Sequence, residues 1–372
     1  MKSTTGALVA LFMGMLAWIA TLHPGLRMVD FISFSARAQR LPEGLDWANP
    51  LYPVGYPAML SMLQPMVGDV LWVGKGLSVL AGGLLIWAMM RWLGPWVGAW
   101  LAVQPLFVEW ATTEGTDLAA VSLCLAGLAC VFPAHREQPP LAGRWALAGA
   151  LIGGACMVRY TSVVCVLVAL VGVFRCGRTA AKWFVPLFVL VTAPHWAVSL
   201  FFGEPLLPDQ SINFAIGAGH PVDFWSFETI TRWPEGFGRA LGLTLQTWPT
   251  RLGCLGLVIG MGMKDRRAWA LSVFSLLHLA LLGLAFVNPR LALPADLTMS
   301  LGVFWFGVLA HRWSADRSKW ATRTVILLQI GCVGAMALWG FAWNPYPPHK
   351  ASPAEEVLTD FVQETEGFAG RA

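Results

Sequence analysis

Charge is scarce in this sequence, and its scarcity excludes most soluble classes of protein. Lys, Arg, Asp and Glu together make up 12% of the 372 residues, and hydrophobic residues make up 56%. Soluble domains carry about a quarter of charged residues, so the composition predicts an all-α polytopic membrane protein. The 20 tryptophans agree with this, because Trp concentrates at membrane–water interfaces. The basic residues lie in short connections between apolar runs, so the net charge does not indicate binding of nucleic acid.

Motifs of soluble nucleotide and hydrolase chemistry are also missing. The sequence contains no GxGxxG, no P-loop, no G-x-S-x-G and no HExxH. None of the seven cysteines forms a CxxC pair, and nearly all lie inside apolar runs or at their ends. We therefore predict neither a disulfide framework nor a zinc site.

Long apolar runs dominate what is present. A transmembrane helix needs roughly 20 mostly apolar residues, and we assign about eleven spans on that basis. They are 5–23, 70–90, 95–112, 118–133, 145–158, 160–174, 183–202, 247–263, 268–287, 291–310 and 323–342. The prediction is one transmembrane domain, 1–343, followed by a short tail, 344–372.

The basic residues orient these spans. Cytoplasmic loops carry an excess of Lys and Arg, and that bias places the N-terminus in the cytoplasm and the tail outside. Two long loops, 24–69 and 203–246, then face outward. The apolar segment 54–66 contains two prolines and is short, so we predict a helix on the outer interface rather than a span.

Three acids stand out on the outer side: Asp30, Glu114 and Asp117. Each has a structural interpretation, because an acid favours a helix N-terminus and Asp is a common capping residue. The functional interpretation of Asp30 is a general base or a carboxylate that orients the acceptor. Glu114 and Asp117 share one short turn, where carboxylates can bind a divalent cation, hold an acceptor hydroxyl or raise each other's pKa.

Three cations oppose the inward charge bias: Lys75, Arg159 and Arg290. One interpretation is that each extends toward lipid headgroups. The other is a shared phosphate site, because Arg binds phosphate with two parallel hydrogen bonds and Lys as a point charge.

Four further outer-loop residues are candidates for substrate binding: Tyr52, Tyr56, Asn213 and His220. Aromatic rings at this depth stack on sugars, but they also anchor proteins at the interface, and the sequence does not choose between the two roles. The sequence gives little support for a metal role of His220.

The order of these motifs resembles the GT-C integral-membrane glycosyltransferases, in particular the protein-mannosyltransferase-like and aminoarabinose-transferase-like group. The motifs are Asp30, Pro50-Leu51-Tyr52-Pro53, Lys75-Gly76-Leu77-Ser78, Glu114-Gly115-Thr116-Asp117, the Gly-rich run ending at Arg159, the Asn213-x-x-x-Gly217 pattern and Arg290-Leu291-Ala292-Leu293-Pro294. The resemblance implies a GT-C-like bundle with interfacial helices in the outer loops. It also implies a polyprenyl-phosphate sugar donor, transfer on the outer face, Asp30 as base, and Glu114 or Asp117 positioning the acceptor or a metal ion.

The chain departs from that pattern at three positions. Phe31 follows Asp30 where the family often has Glu, Lys75 replaces an Arg, and Leu291 replaces a Tyr.

The first hypothesis is a glycosyltransferase of the bacterial inner membrane, with membrane lipid and a lipid-linked sugar as partners. The alternative is a non-catalytic accessory subunit of a membrane complex. A lipid transporter ranks last, because the spans offer few charges at mid-depth.

Overall fold

Helices form the described part of the chain. The structure is a computed structural model that describes residues 2–28, 30–44, 53–133, 142–202, 227–284, 289–315 and 319–342. The α-helices are α1 (Lys2–Thr21), α2 (Asp30–Arg40), α3 (Gly55–Val67), α4 (Val70–Trp92), α5 (Pro95–Ala102), α6 (Pro105–Thr112), α7 (Asp117–Val131), α8 (Ala142–Val158), α9 (Val163–Cys176), α10 (Arg178–Phe202), α11 (Phe227–Thr244), α12 (Trp248–Gly262), α13 (Arg266–Leu284), α14 (Pro289–Ser300), α15 (Val303–Ala315) and α16 (Lys319–Ala342). The all-α class predicted from composition is confirmed.

The predicted span 95–112 is not one continuous helix. The run 95–112 forms two short helices, α5 and α6, with Gln104 in an extended conformation between them. The cause is Pro105, which has no backbone N–H and disfavours the helical conformation of the residue before it.

Several helices meet the requirements for crossing a membrane by length and composition. Within the described residues these are Val70–Trp92, Arg266–Leu284 and the segment Leu291–Ser314. The pair Pro105–Thr112 and Asp117–Val131, bent by 114°, adds a fourth when it is taken together. Shorter apolar helices occupy further predicted spans, including Thr5–Thr21 and Ala142–Val158. The total of about eleven spans stays a prediction.

Basic side chains tie several helix ends together at one end of the bundle. Trp92 Nε1, at the end of α4, donates to the carbonyl of Phe132 at 2.6 Å, just after α7. Arg267 of α13 donates to the carbonyl of Trp92 at 2.9 Å, and Arg144 of α8 donates to that of Ala129 at 3.0 Å. We call this region the basic end. Because α4 and α7 both finish here, they run in the same direction, and α5 and α6 carry the chain back between them.

The opposite end contains α2 and α3. Helix α3 packs between α2 and α4, with Tyr56 and Leu60 buried and Met62 and Met66 exposed. This two-sided pattern fits the predicted interfacial helix at 54–66. The start of α4, and with it α2 and α3, therefore lies at the end of the bundle away from the basic end.

Candidate active site

Packing of aromatic rings fixes the start of α2, where Asp30 lies. Asp30 is the first residue of α2 and is half-buried. The next residue, Phe31, meets the ring of Tyr56 edge-on at 6.5 Å, and Phe34 does so at 5.4 Å. A Cβ atom at Gly74 of α4 would collide with the Phe31 ring, so only glycine allows this approach. The carboxylate of Asp30 therefore sits on a helix start that is held against α3 and α4.

Glu114 reaches the chain just before Asp30. Its side chain is fully buried, and Oε1 accepts hydrogen bonds from the backbone N–H groups of Arg27 at 2.5 Å and Met28 at 2.8 Å. Burial raises the pKa of Glu114, and the two backbone donors oppose that rise. The acid thus fastens the first loop to the connection between α6 and α7. Its predicted role toward an acceptor or a metal ion stays a prediction.

Lys75 makes a matching contact from α4. The side chain is buried, and its ammonium group donates to the backbone carbonyls of His23 and, at 3.0 Å, of Gly25. It also lies 5.6 Å from the centroid of the Trp72 ring, a favourable cation–π distance. The ammonium group therefore points into the protein and not toward lipid headgroups. A direct contact with a donor phosphate stays a prediction.

Asp117 and Arg159 form an ion pair at the same end. Arg159 follows α8 and pairs with Asp117, which occupies the first turn of α7, where the helix dipole favours an acid. Arg159 also approaches the Thr116 hydroxyl at 3.4 Å. The preceding residue, Gly115, has a φ of 152° and donates its N–H to the Tyr56 hydroxyl at 3.1 Å. These bonds join the α6–α7 connection to α3 and to Arg159.

His278 extends this cluster toward Arg290, and the sequence reasoning missed it. His278 is buried in α13, with Nε2 at 2.8 Å from the carbonyl oxygen of Leu291 in the first turn of α14. It also interacts electrostatically with Arg159 and Asp117. The sequence does mark His278, because it is an ionisable residue inside an apolar run, and such residues are usually functional. Arg290 is the second residue of α14, and its side chain lies outside the described part of the chain.

A buried acid was also missed. Asp296 of α14 accepts a hydrogen bond from Thr250 in the first turn of α12. An acid at a helix N-terminus is favourable, so this bond secures the start of α12 against α14. The same signal, an acid within an apolar run, identifies it.

The remaining candidates divide into two groups. Tyr52, Asn213 and His220 lie outside the described residues, so their predicted roles stay predictions. Tyr56 is buried, and its ring and hydroxyl both contact protein groups. Among the described residues, no group of three or more His, Cys, Asp or Glu side chains is arranged to hold a metal ion.

The cluster has the groups needed for one type of chemistry. A half-buried carboxylate can accept a proton from a hydroxyl group. A guanidinium group at the same end of the bundle, that of Arg159, can stabilise negative charge that develops on a leaving group, an effect that is larger where water is excluded. Base-assisted displacement of an anionic leaving group fits this set.

Comparison with known proteins supports the fold. No protein-family model and no curated protein sequence matches the chain. The crystal structure of ArnT from Cupriavidus metallidurans bound to undecaprenyl phosphate matches with a TM-score of 0.57 at 14% identity, over 90% of this chain and 75% of that one. The apo ArnT structure matches with a TM-score of 0.54 at 16% identity, over 99% and 73%. At these identities the likeness shows the fold, and the predicted polytopic helical fold, shared with ArnT, is confirmed.

Proposed function

We propose that this chain, which has the GT-C fold of ArnT, is a membrane glycosyltransferase that moves a sugar from a polyprenyl-phosphate donor to an acceptor hydroxyl. The observation that carries the proposal is the position of Asp30 within this fold. Its helix start is fixed at the same end of the bundle as the Arg159–Asp117 pair. The ArnT structure with undecaprenyl phosphate supports a lipid-phosphate donor.

Asp30 acts as the general base in this proposal. Its carboxylate accepts the proton of the acceptor hydroxyl while the hydroxyl oxygen attacks the anomeric carbon on the face opposite the phosphate. The bond between that carbon and the phosphate oxygen breaks, and its electron pair leaves with the lipid phosphate. General base catalysis contributes about 10²–10⁴-fold. The leaving lipid phosphate needs no nucleotide, which agrees with the missing nucleotide motifs.

Arg159 and Arg290 compensate the charge that grows on the leaving phosphate. Arginine suits this role, because its planar guanidinium group forms two parallel bonds to phosphate. Asp117 orients Arg159 through their ion pair, and His278 contacts the helix turn that carries Arg290. We leave Lys75 out of this pair because its ammonium group is directed to carbonyls of the first loop.

The membrane geometry fits a lipid donor. Arg144 and Arg267 gather at the basic end, and the positive-inside rule places that end in the cytoplasm. The candidate site then faces the outer side of a bacterial plasma membrane. A lipid-linked donor reaches it within the plane of the membrane.

The proposal is tested with the full chain in proteoliposomes. The donor is undecaprenyl phosphate linked to aminoarabinose or to mannose, the acceptors are envelope lipids, and release of undecaprenyl phosphate is measured. We expect Asp30→Ala to lower the rate at least about 100-fold, and Arg290→Ala to abolish transfer while the protein remains folded. Glu235→Ala, at an exposed position paired with Arg239, is the control and keeps the wild-type rate. No release from either donor by the wild-type chain would contradict the proposal.

The accessory-subunit alternative makes a different prediction. It draws support from two acids that contact the protein itself: Glu114 accepts a backbone hydrogen bond from Arg27, and Asp117 forms an ion pair with Arg159. An accessory protein would complement a deletion strain equally well with Asp30 or with Ala at that position. A glycosyltransferase would lose complementation with Asp30→Ala.

A further inference from the structure

We propose that Glu114 and Lys75 form a clamp on the first loop that positions Asp30 and takes no direct part in the chemistry. The loop clamp consists of these two side chains and the backbone of residues 23–28. Its catalytic consequence rests on the proposed function, whereas its structural consequence does not. This role differs from those predicted from the sequence, which were positioning of the acceptor or a metal ion for Glu114 and phosphate binding for Lys75.

The two side chains bind complementary groups of the same short segment. Lys75 has only donors, and it takes the carbonyls of His23 and Gly25. Glu114 Oε1 accepts from the N–H groups of Arg27 and Met28. The segment is not helical, so its backbone groups have no helical partners and take them from elsewhere. The clamp supplies partners for four of them.

One residue connects the clamp to the start of α2. Met28 donates its N–H to Glu114, and its carbonyl accepts the N–H of Phe31 at 3.0 Å. Phe31 directly follows Asp30, and its ring packs against Gly74 of α4. A shift of Met28 therefore moves the first turn of α2, and with it the carboxylate of Asp30.

Burial explains why charged groups are used. Glu114 is 0% exposed and Lys75 is 1% exposed. A buried charge is costly unless it is paired or well hydrogen-bonded, and each of these charges acts electrostatically on the other. Charged partners also form stronger hydrogen bonds to backbone groups than neutral partners do. The pair thus holds the loop with opposite charges, one from α4 and one from the connection between α6 and α7.

The oxygen atoms of Glu114 permit a decisive substitution. Both backbone bonds fall on Oε1, and within the described residues the buried Oε2 has no hydrogen-bond partner. Glutamine keeps an oxygen that can accept both bonds, but its neutral amide cannot act as a base and is a weaker ligand for a cation than a carboxylate. Glu114→Gln therefore keeps the clamp and removes the alternatives, whereas Glu114→Ala removes both.

The first test is limited trypsin digestion of the full chain in detergent. Mass spectrometry measures the rate of cleavage after Arg27. Arg27 lies inside the clamped segment and is half-buried. When opening is fast, cleavage tracks the population of the opened segment. We expect Glu114→Ala and Lys75→Met to raise the cleavage rate at least about tenfold, and Glu114→Gln to stay within about threefold. Glu235→Ala, which removes an exposed carboxylate, is the matched control and leaves the rate unchanged.

The second test separates positioning from binding in the proteoliposome assay. We expect Glu114→Ala and Lys75→Met to lower kcat about 100-fold, because a small misplacement of a reacting group has that effect. The Kd for undecaprenyl phosphate alone should stay within about threefold of wild type, since neither residue binds the phosphate. Glu114→Gln should keep kcat within about tenfold.

Three results would overturn the clamp. They are unchanged cleavage after Arg27 in Glu114→Ala, a loss of kcat in Glu114→Gln equal to that in Glu114→Ala, and a large rise of Kd in Lys75→Met without faster cleavage. A wild-type chain that transfers no sugar, with the cleavage pattern as expected, contradicts the proposed function and leaves the clamp supported.

Discussion

The ion pair between Asp117 and Arg159 gives the most quantitative prediction. The Asp117 side chain is 1% exposed and that of Arg159 is 16% exposed. We consider three variants: Asp117→Ala, Arg159→Ala and the double substitution. Each single variant removes one member of the ion pair, whereas the double variant removes both.

The magnitudes follow from this difference in exposure. Removal of one partner of a buried ion pair costs about 3–5 kcal/mol of unfolding free energy. We place Arg159→Ala near the upper value, because the buried Asp117 carboxylate cannot reach water. Asp117→Ala falls near about 3 kcal/mol, because Arg159 retains some exposure and its contact with Thr116. The double variant should cost less than the sum, with a coupling energy of about 2–3 kcal/mol.

The measurement is a double-mutant cycle of unfolding in mixed micelles, followed by tryptophan fluorescence. Binding of undecaprenyl phosphate is measured on the same samples. We expect binding to be lost in Arg159→Ala and in the double variant, and to be weakened but present in Asp117→Ala. Additive stability effects within about 0.5 kcal/mol would refute the coupling, and full binding by Arg159→Ala would refute the phosphate role.

Two further predictions concern topology and His278. A reporter fused at residue 140 should read cytoplasmic, because the basic end of the bundle carries Arg144 and the positive-inside rule places it there; an external signal would overturn the orientation. His278→Leu should weaken undecaprenyl phosphate binding about tenfold, since it removes a hydrogen bond to the first turn of α14. That turn already lacks one helical hydrogen bond, because Pro294 has no N–H for the carbonyl of Arg290. His278→Gln can still donate to the carbonyl of Leu291 and should bind more tightly than His278→Leu; equal binding by the two variants would argue against this role.

The sequence predicts helices well because a bilayer allows few other backbone structures. Backbone groups in a membrane must be satisfied within the segment, so long apolar runs such as 70–90 predict helices, and α4 confirms that one. Charged residues are costly near the bilayer, so the few that occur mark where polar contacts form. Asp30, Lys75, Glu114 and Arg159 were identified in this way.

Only the tertiary structure decided which partner each of these side chains binds. The acid at 114 meets the N–H of Met28, 86 positions earlier in the chain, and no local pattern encodes that choice. His278 and the first turn of α14 meet for a similar reason, through the packing of two helices. Composition and spacing determine that a polar group needs a partner, because its burial without one is costly. The packing of helices determines which group is close enough to be that partner.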